Sequence, residues 1–383
     1  MKEVALYIHI PFCKKKCLYC DFPSYSGKES LMKDYAKALK KEIIERCSGY
    51  IIKSLFIGGG TPSYLDSESL VILLDAIAEL NLLKDSEKTM ECNPGTVNKS
   101  KLELVKKYGI NRLSFGLQST NNRVLQSIGR IHTFEEFKEN YYLARKLGFE
   151  NINIDIMFGL PDVNKEDAKK DIERVIKLNP EHISFYGLII EEGTPFYSMY
   201  NKGDLKLPDE EEEREIYNSC RDILEKNGYN QYEISNYSKN NYRCQHNVVY
   251  WECREYIGVG VSASSYIDNK RIKNIDSVEK YIKNINQKIN VSITENINCI
   301  EDDIEEFMFM GLRMIEGISE EEFKRRFSIC IDEIYKDEIK KNIQRGLLIR
   351  DKGRIYLTKK GIELSNEVMS DMIITVWLKK GEN

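Results

Sequence analysis

Six short apolar runs rich in β-branched and aromatic residues punctuate the first half of the chain: VALYIHI (4–10), SLFIGGG (54–60), KTMEC (88–92), RLSFGL (112–117), NINIDIMF (151–158) and HISFYGL (182–188). Between them the apolar period changes from two to nearly four. Tyr35, Leu39 and Ile43 recur at i, i+4 and i+8, with Lys and Glu filling the opposite face, which predicts an amphipathic helix. DSESLVILLDAIAEL opens on Asp66 as a cap with Glu68 in the first turn, and NKSKLELVKKYG closes on a glycine, so two more helices follow. Six strand–helix units in series predict an α/β fold with a parallel sheet, because parallel strands require crossovers. The pattern alone does not separate an open doubly wound sheet from an incomplete barrel.

The rhythm changes after residue 190. PDEEEEREIYNSCRDILEKNGY (208–229) predicts a long helix, and 230–268 is rich in Tyr, Asn and Gly. Residues 269–300 are polar and weakly patterned, and a connection is expected there. From 301 a compact unit begins with the helix DDIEEFMFMGLRMIEG. It ends in a hairpin, GLLIRDKGRIYLTKKG, turning at Asp351–Gly353, and a terminal helix. Helices followed by a two-stranded wing predict a small α+β, winged-helix-like domain. The expected division is thus 1–235, an extension at 236–300, and 301–383.

Composition narrows the function class. Residues 320–383 hold 14 Lys+Arg against 12 Asp+Glu, which gives no phosphate-tracking stripe, and the formal net charge of the chain is −4. No nucleic-acid partner is therefore expected. The N-terminal apolar run is short, contains His9 and ends at Pro11, unlike a leader or a membrane span. Ten scattered cysteines in a long chain suggest reduced thiols and a cytoplasmic location.

The chemistry concentrates in IHIPFCKKKCLYCDF (8–22), where Cys13, Cys17 and Cys20 follow a strand in a C-x₃-C-x₂-C run. Thiolates suit zinc or iron–sulfur clusters. Structural zinc would need a fourth ligand, for which His9 is available; a cubane cluster on three thiolates would leave one iron open to a substrate or S-adenosylmethionine (SAM). The rest of the chain supplies groups for SAM at one rim, since ligands gather outside the carboxyl ends of parallel strands. Gly59 and Gly60 end the second strand, Glu91 the third and Gln118 the fourth; Asp155 lies in the fifth, and Arg130 stands just beyond the fourth. An arginine suits the carboxylate of SAM, and acids or amides its ammonium and ribose. Farther on, HNVVYW (246–251) offers His246 as an axial ligand for heme iron and the flat faces of Tyr250 and Trp251 for a macrocycle. Cys244 and Cys253 flank that motif and are expected to be inert buried thiols.

Taken in order, YIHIPFCKKKCLYCDF, FIGGGTPS, ECNPGT, RLSFGLQS, LQSIGRIH, NIDIMFGLP, CQHNVVYW and YIGVG resemble the radical SAM proteins, and among them the oxygen-independent coproporphyrinogen III oxidase-like group. The resemblance implies an incomplete (β/α)₆ barrel. It implies a 4Fe–4S cluster on Cys13, Cys17 and Cys20, with SAM on the open iron and Tyr7 and Tyr19 lining that pocket. Gly59, Gly60, Thr61 and Glu91 would meet the methionine end of SAM, Arg130 its carboxylate, and Gln118 and Asp155 its ribose. The decarboxylating oxidase typically has a further cysteine two residues after the third, where this chain has Phe22, and a longer N-terminal extension. HNVVYW instead resembles the heme chaperone family HemW, which implies heme binding and transfer to heme-accepting proteins, with room for a homodimer and at most transient membrane association. Members often carry a Gly-Ala-His ending after the Tyr-Trp pair; here the stretch reads GVSASSY. The alternative is a radical SAM oxidoreductase acting on coproporphyrinogen III or a related tetrapyrrole.

Overall fold

The computed structural model describes residues 1–374; residues 375–383, the end of the expected C-terminal domain, lie outside the described part. The six apolar runs form six strands: β1 (Lys2–Ile10), β2 (Tyr50–Gly59), β3 (Leu82–Cys92), β4 (Arg112–Gln118), β5 (Asn151–Phe158) and β6 (His182–Gly187). They lie side by side in chain order, every neighbouring pair parallel. Helices return the chain between them. Asp66 caps the helix Ser67–Ala78 by accepting from Ser69 N, as its position predicts, and Thr133 and Glu136 form a capping box on Phe134–Lys146.

Period-two alternation divides the sheet into two unlike faces. Leu113, Phe115 and Leu117 of β4, Ile152, Ile154 and Ile156 of β5, and Ile183 and Phe185 of β6 pack into the apolar core. The intervening positions are polar yet mostly buried: Arg112, Ser114 and Gln118, then Asn153, then His182. His182, Asn153 and Ser114 form one hydrogen-bonded network. His182 Nδ1 lies 2.6 Å from Asn153 Oδ1 and its Nε2 2.8 Å from Tyr232 OH, while Asn153 Nδ2 donates to Ser114 Oγ and Asp155 Oδ1, both at 2.7 Å. Such a network is tolerated in a low-dielectric interior because its members have partners.

The sheet continues past both ends of the parallel set to twelve strands. Beyond β6 lie β8 (Asn236–Ser238) and β7 (Asn230–Glu233), both antiparallel. Beyond β1 lie β9 (Tyr256–Val259), which pairs with it in parallel, then β10 (Ser264–Ile267), β11 (Lys270–Asn274) and β12 (Ser292–Ile297). The stretch 269–300, expected as a connection, thus holds two strands and the helix Val278–Asn286. Buried Glu42 of the helix Met32–Arg46 ties this extension down. It accepts from Gly260 N at 2.7 Å, Tyr281 OH at 2.5 Å and Asn274 Nδ2 at 2.6 Å.

The last unit is a distinct small α+β domain. β13 (Ile318–Ser319), β14 (Leu348–Asp351) and β15 (Arg354–Leu357) make a separate three-stranded sheet, and the hairpin turns on Lys352 and Gly353, both at positive φ. Its first helix, Ile300–Arg313, packs on the helix Gln245–Trp251. Arg313 there pairs with buried Glu233 at 2.8 Å and stacks over Trp251 at 4.5 Å.

Candidate functional site

At the carboxyl ends of the parallel strands one pocket gathers the three motif cysteines, Tyr19, Gly59, Gly60, Thr61, Glu91, Gln118, Arg130 and Asp155. Cys13 Sγ lies 3.5 Å from Thr61 Oγ1, and Arg130 Nη1 approaches Cys17 Sγ at 3.5 Å. Burial pushes the Cys13 thiol up and the Cys20 thiol to about 11. Among the described residues no three Cys, His, Asp or Glu side chains close on a single ion-sized point; the three thiols share a pocket wall. His9, the fourth ligand a zinc site would need, has both ring nitrogens engaged. Nε2 donates to Pro23 O at 2.8 Å, and Nδ1 accepts from Tyr7 OH at 3.0 Å.

The glycines are required by close approach. A Cβ on Gly60 would stand 2.9 Å from the carbonyls of Ile10 and Phe12 and 3.1 Å from Cys13 Sγ. Gly59 has φ +107, and a Cβ there would meet the His9 ring at 2.4 Å. These residues keep a cradle open beside the cysteines. Gln118 itself takes φ +74 at the end of β4, an uncommon conformation that turns the strand end into the pocket wall.

The electrostatics favour a ligand with both charge signs. Glu91 accepts from Gly59 N at 3.1 Å, yet burial and the nearby Asp155 carboxylate push it up to about 8. Burial raises Asp155 as well. A cation placed between them would relieve both. Opposite, Arg130 donates to Asn93 Oδ1 at 2.7 Å and to the Gly116 carbonyl, while its buried Nε has no partner among the described residues.

Sequence reasoning missed Tyr186, Asn93, Ser114 and Gly116, which also line the pocket; Tyr186 OH donates to Gln118 Oε1 at 2.9 Å. Tyr186 follows His182 and Ser184 at period two, so alternation along β6 was the available signal.

Two predicted residues lie elsewhere. Tyr7 lines a second cavity of about 390 Å³ and not the cysteine pocket; Phe22 lines both. Burial first and then the Glu91 carboxylate raise the Tyr7 phenol. His246 lines neither. It is 1 % exposed, with Nδ1 3.1 Å from Ser54 Oγ and Nε2 2.8 Å from Tyr250 OH. Burial lowers it to about 3, so it is a neutral imidazole. Both ring nitrogens thus have neighbouring side-chain partners. Glu87 fixes the start of its helix by accepting from Gln245 N and His246 N, both at 3.2 Å. Tyr250 and Trp251 do line the second cavity, as does Cys253, while Cys244 is buried against Glu87.

Residues 7–175 match the profile of the Radical SAM superfamily, and residues 301–364 that of the HemN C-terminal domain. The chain is 37% identical to the heme chaperone HemW of Lactococcus lactis, over 97% of this chain and 98% of that one. It is 38% identical to HemW of Bacillus subtilis, over 95% and 97%, and 35% identical to HemW of Escherichia coli, over 93% and 97%. The solved structure of coproporphyrinogen III oxidase (HemN) from Escherichia coli superposes with a TM-score of 0.85 at 23% identity, covering 97% of this chain and 90% of that one, which shows a shared fold.

Proposed function

We propose that this chain, which belongs to the HemW family of radical SAM proteins, carries heme and hands it to acceptor proteins, with a 4Fe–4S cluster and SAM bound at the cysteine pocket. On this reading residues 1–235 form an incomplete (β/α)₆ barrel, 236–300 the extension bearing the HNVVYW motif, and 301–383 a winged-helix-like domain. The observation that carries the cofactor assignment is the convergence of three cysteines, two close-approach glycines, a half-buried acid pair and a half-buried arginine in one pocket.

Cys13, Cys17 and Cys20 would hold the cluster, leaving one iron for SAM. A reduced cluster held there would supply an electron for reductive chemistry on SAM. The chain positions and shields. Arg130 would take the SAM carboxylate through its unpartnered Nε, and Glu91 the ammonium. Asp155 and Gln118 would hold the ribose, with Tyr186 fixing the Gln118 amide. Tyr19 and Phe22 would cover the cluster. Tyr250 and Trp251 would stack on heme in the second cavity, with Tyr7 and Phe22 between the two ligands.

The test is anaerobic reconstitution followed by iron and sulfide analysis, EPR and hemin titration. A 4Fe–4S signal perturbed by SAM and lost in Cys13→Ala, Cys17→Ala and Cys20→Ala, with saturable heme uptake, is expected. A chain that loads the cluster but takes up no heme would refute the carrier.

A further inference from the structure

β5 and β6 pair with Asn153 beside His182 and Asp155 beside Ser184, so period-two alternation gathers these polar side chains on one face of the sheet. Ser114 of β4 extends the block, because it lies opposite Asn153 in the neighbouring pair. Ser114 and Asp155 line the cysteine pocket, whereas Asn153 and His182 lie outside its lining. Asn153, His182 and Tyr232 are each at most 2 % exposed, so they bond to one another and not to bulk water.

The donor and acceptor roles within this block are forced. Asn153 spends its two Nδ2 hydrogens on Ser114 Oγ and Asp155 Oδ1, both at 2.7 Å. Its Oδ1 accepts from Ser184 Oγ at 3.1 Å and faces His182 Nδ1 at 2.6 Å. A turned amide would set its oxygen against the Asp155 carboxylate. His182 therefore carries its proton on Nδ1 and accepts at Nε2. Tyr232 OH accepts from Cys244 N at 3.2 Å and gives its own proton to that Nε2 at 2.8 Å. Every donor along the line from Cys244 N–H through Tyr232, His182 and Asn153 points toward Asp155, and aligned bonds polarise one another in a low-dielectric interior. Burial and the Arg112 guanidinium hold His182 well below the ordinary histidine range, so it stays neutral. An amide in the middle passes no proton, so the line orients and does not relay. Burial raises Asp155, while the bonds from Asn153 and Ser184 oppose that and favour the anion.

We propose, resting on the SAM reading of the cysteine pocket, that His182 and Asn153 are positioning residues that fix Asp155 as an acceptor-only carboxylate, so that the pocket selects a ligand bringing hydroxyl donors. Asn153 takes one site on Asp155 Oδ1. The remaining lone pairs serve the ribose diol of SAM. Tyr232 acts one step farther back, by holding the His182 tautomer.

The experiment measures Kd for SAM and for its 2′,3′-dideoxy analogue on the cluster-loaded full-length chain, by calorimetry and by the change in the reduced-cluster EPR signal. The unaltered chain is expected to prefer SAM by about tenfold or more, the scale of a lost hydrogen bond to a charged group. His182→Leu should lose most of that preference while still loading its cluster, the check that it has folded. His182→Asn should keep it, because the asparagine amide restores an N–H near the position of Nδ1. The pair separates orientation from packing: asparagine leaves a void and strands Tyr232 OH, so a merely structural role ranks it no better than leucine in urea unfolding and in selectivity alike. Tyr232→Phe, outside the pocket lining and close in volume, should reduce the preference by a smaller factor, and it decides alone if His182→Leu loads no cluster. Unchanged preference in both His182→Leu and Tyr232→Phe would overturn the proposal, as would equal loss in His182→Asn and His182→Leu. An unaltered chain that binds SAM and the dideoxy analogue equally well would overturn it too, with the SAM reading left standing. Failure of the unaltered chain to bind SAM at all would instead strike that reading, and this inference with it.

Discussion

Replacing Glu91 with Gln tests whether the cysteine pocket is built for a cation. Burial, reinforced by Asp155, lifts Glu91 from an ordinary carboxylate value to about 8 against the single Gly59 N–H that favours its charge. A raised acid favours the folded state below its unfolded pKa, and that contribution is lost as pH rises through the folded value. From pH 6 to pH 8 the folded group goes from almost fully to half protonated, while the unfolded group stays ionised. At about 1.4 kcal/mol per pKa unit this removes roughly 2 kcal/mol. For a chain of this size that is a fall in Tm of a few degrees. The amide of Glu91→Gln keeps the shape and the acceptor for Gly59 N but does not titrate. Asp155, Glu42 and Glu233 are also raised by burial, so the informative quantity is the difference between the two proteins. Tm by circular dichroism at pH 6 and pH 8, at fixed ionic strength without cofactors, should show a shallower decline in the variant by that amount. Equal declines would refute the reasoning, because Glu91 would then already be ionised in the empty pocket.

Other perturbations probe the neighbouring geometry. Gly60→Ala drives a methyl against two backbone carbonyls that have no room to yield, and is expected to cost about 1–3 kcal/mol and to lower iron and sulfide content after reconstitution. Arg130→Lys loses the fork that reaches Asn93, the Gly116 carbonyl and Cys17; SAM affinity by calorimetry on cluster-loaded protein should fall at least tenfold, about 1.4 kcal/mol. Glu87→Ala strips acceptors from Gln245 N and His246 N and the partner from buried Arg112. It should destabilise by about 3 kcal/mol in urea unfolding and weaken heme uptake while sparing the cluster.

The parallel core was legible because each of its strands is apolar on the face packed against helices, leaving β-rich runs between helical patterns. The cysteine pocket was legible because its residues fall at or just beyond strand ends, which the topology sends to one rim. The extension was not. β12, SITENI, is the edge strand with its side chains largely exposed, and β11, KRIKN, beside it is only partly covered, so no alternating apolar face marks them. His246 gains a partner that its motif does not show. The motif shows an unpaired histidine, but Ser54, which takes its Nδ1, is far away in sequence on β2. Tyr7 shares a strand face with His9, and their mutual hydrogen bond carries it toward the second cavity.

The most direct test of the carrier is transfer itself. The cluster-loaded chain, charged with hemin, is mixed with an excess of an apo heme-binding acceptor, and the partners are separated and analysed by absorbance and mass spectrometry. The account predicts that heme moves to the acceptor with its mass unchanged. Heme retained by the chain, or a tetrapyrrole of altered mass formed as SAM is consumed, would contradict it.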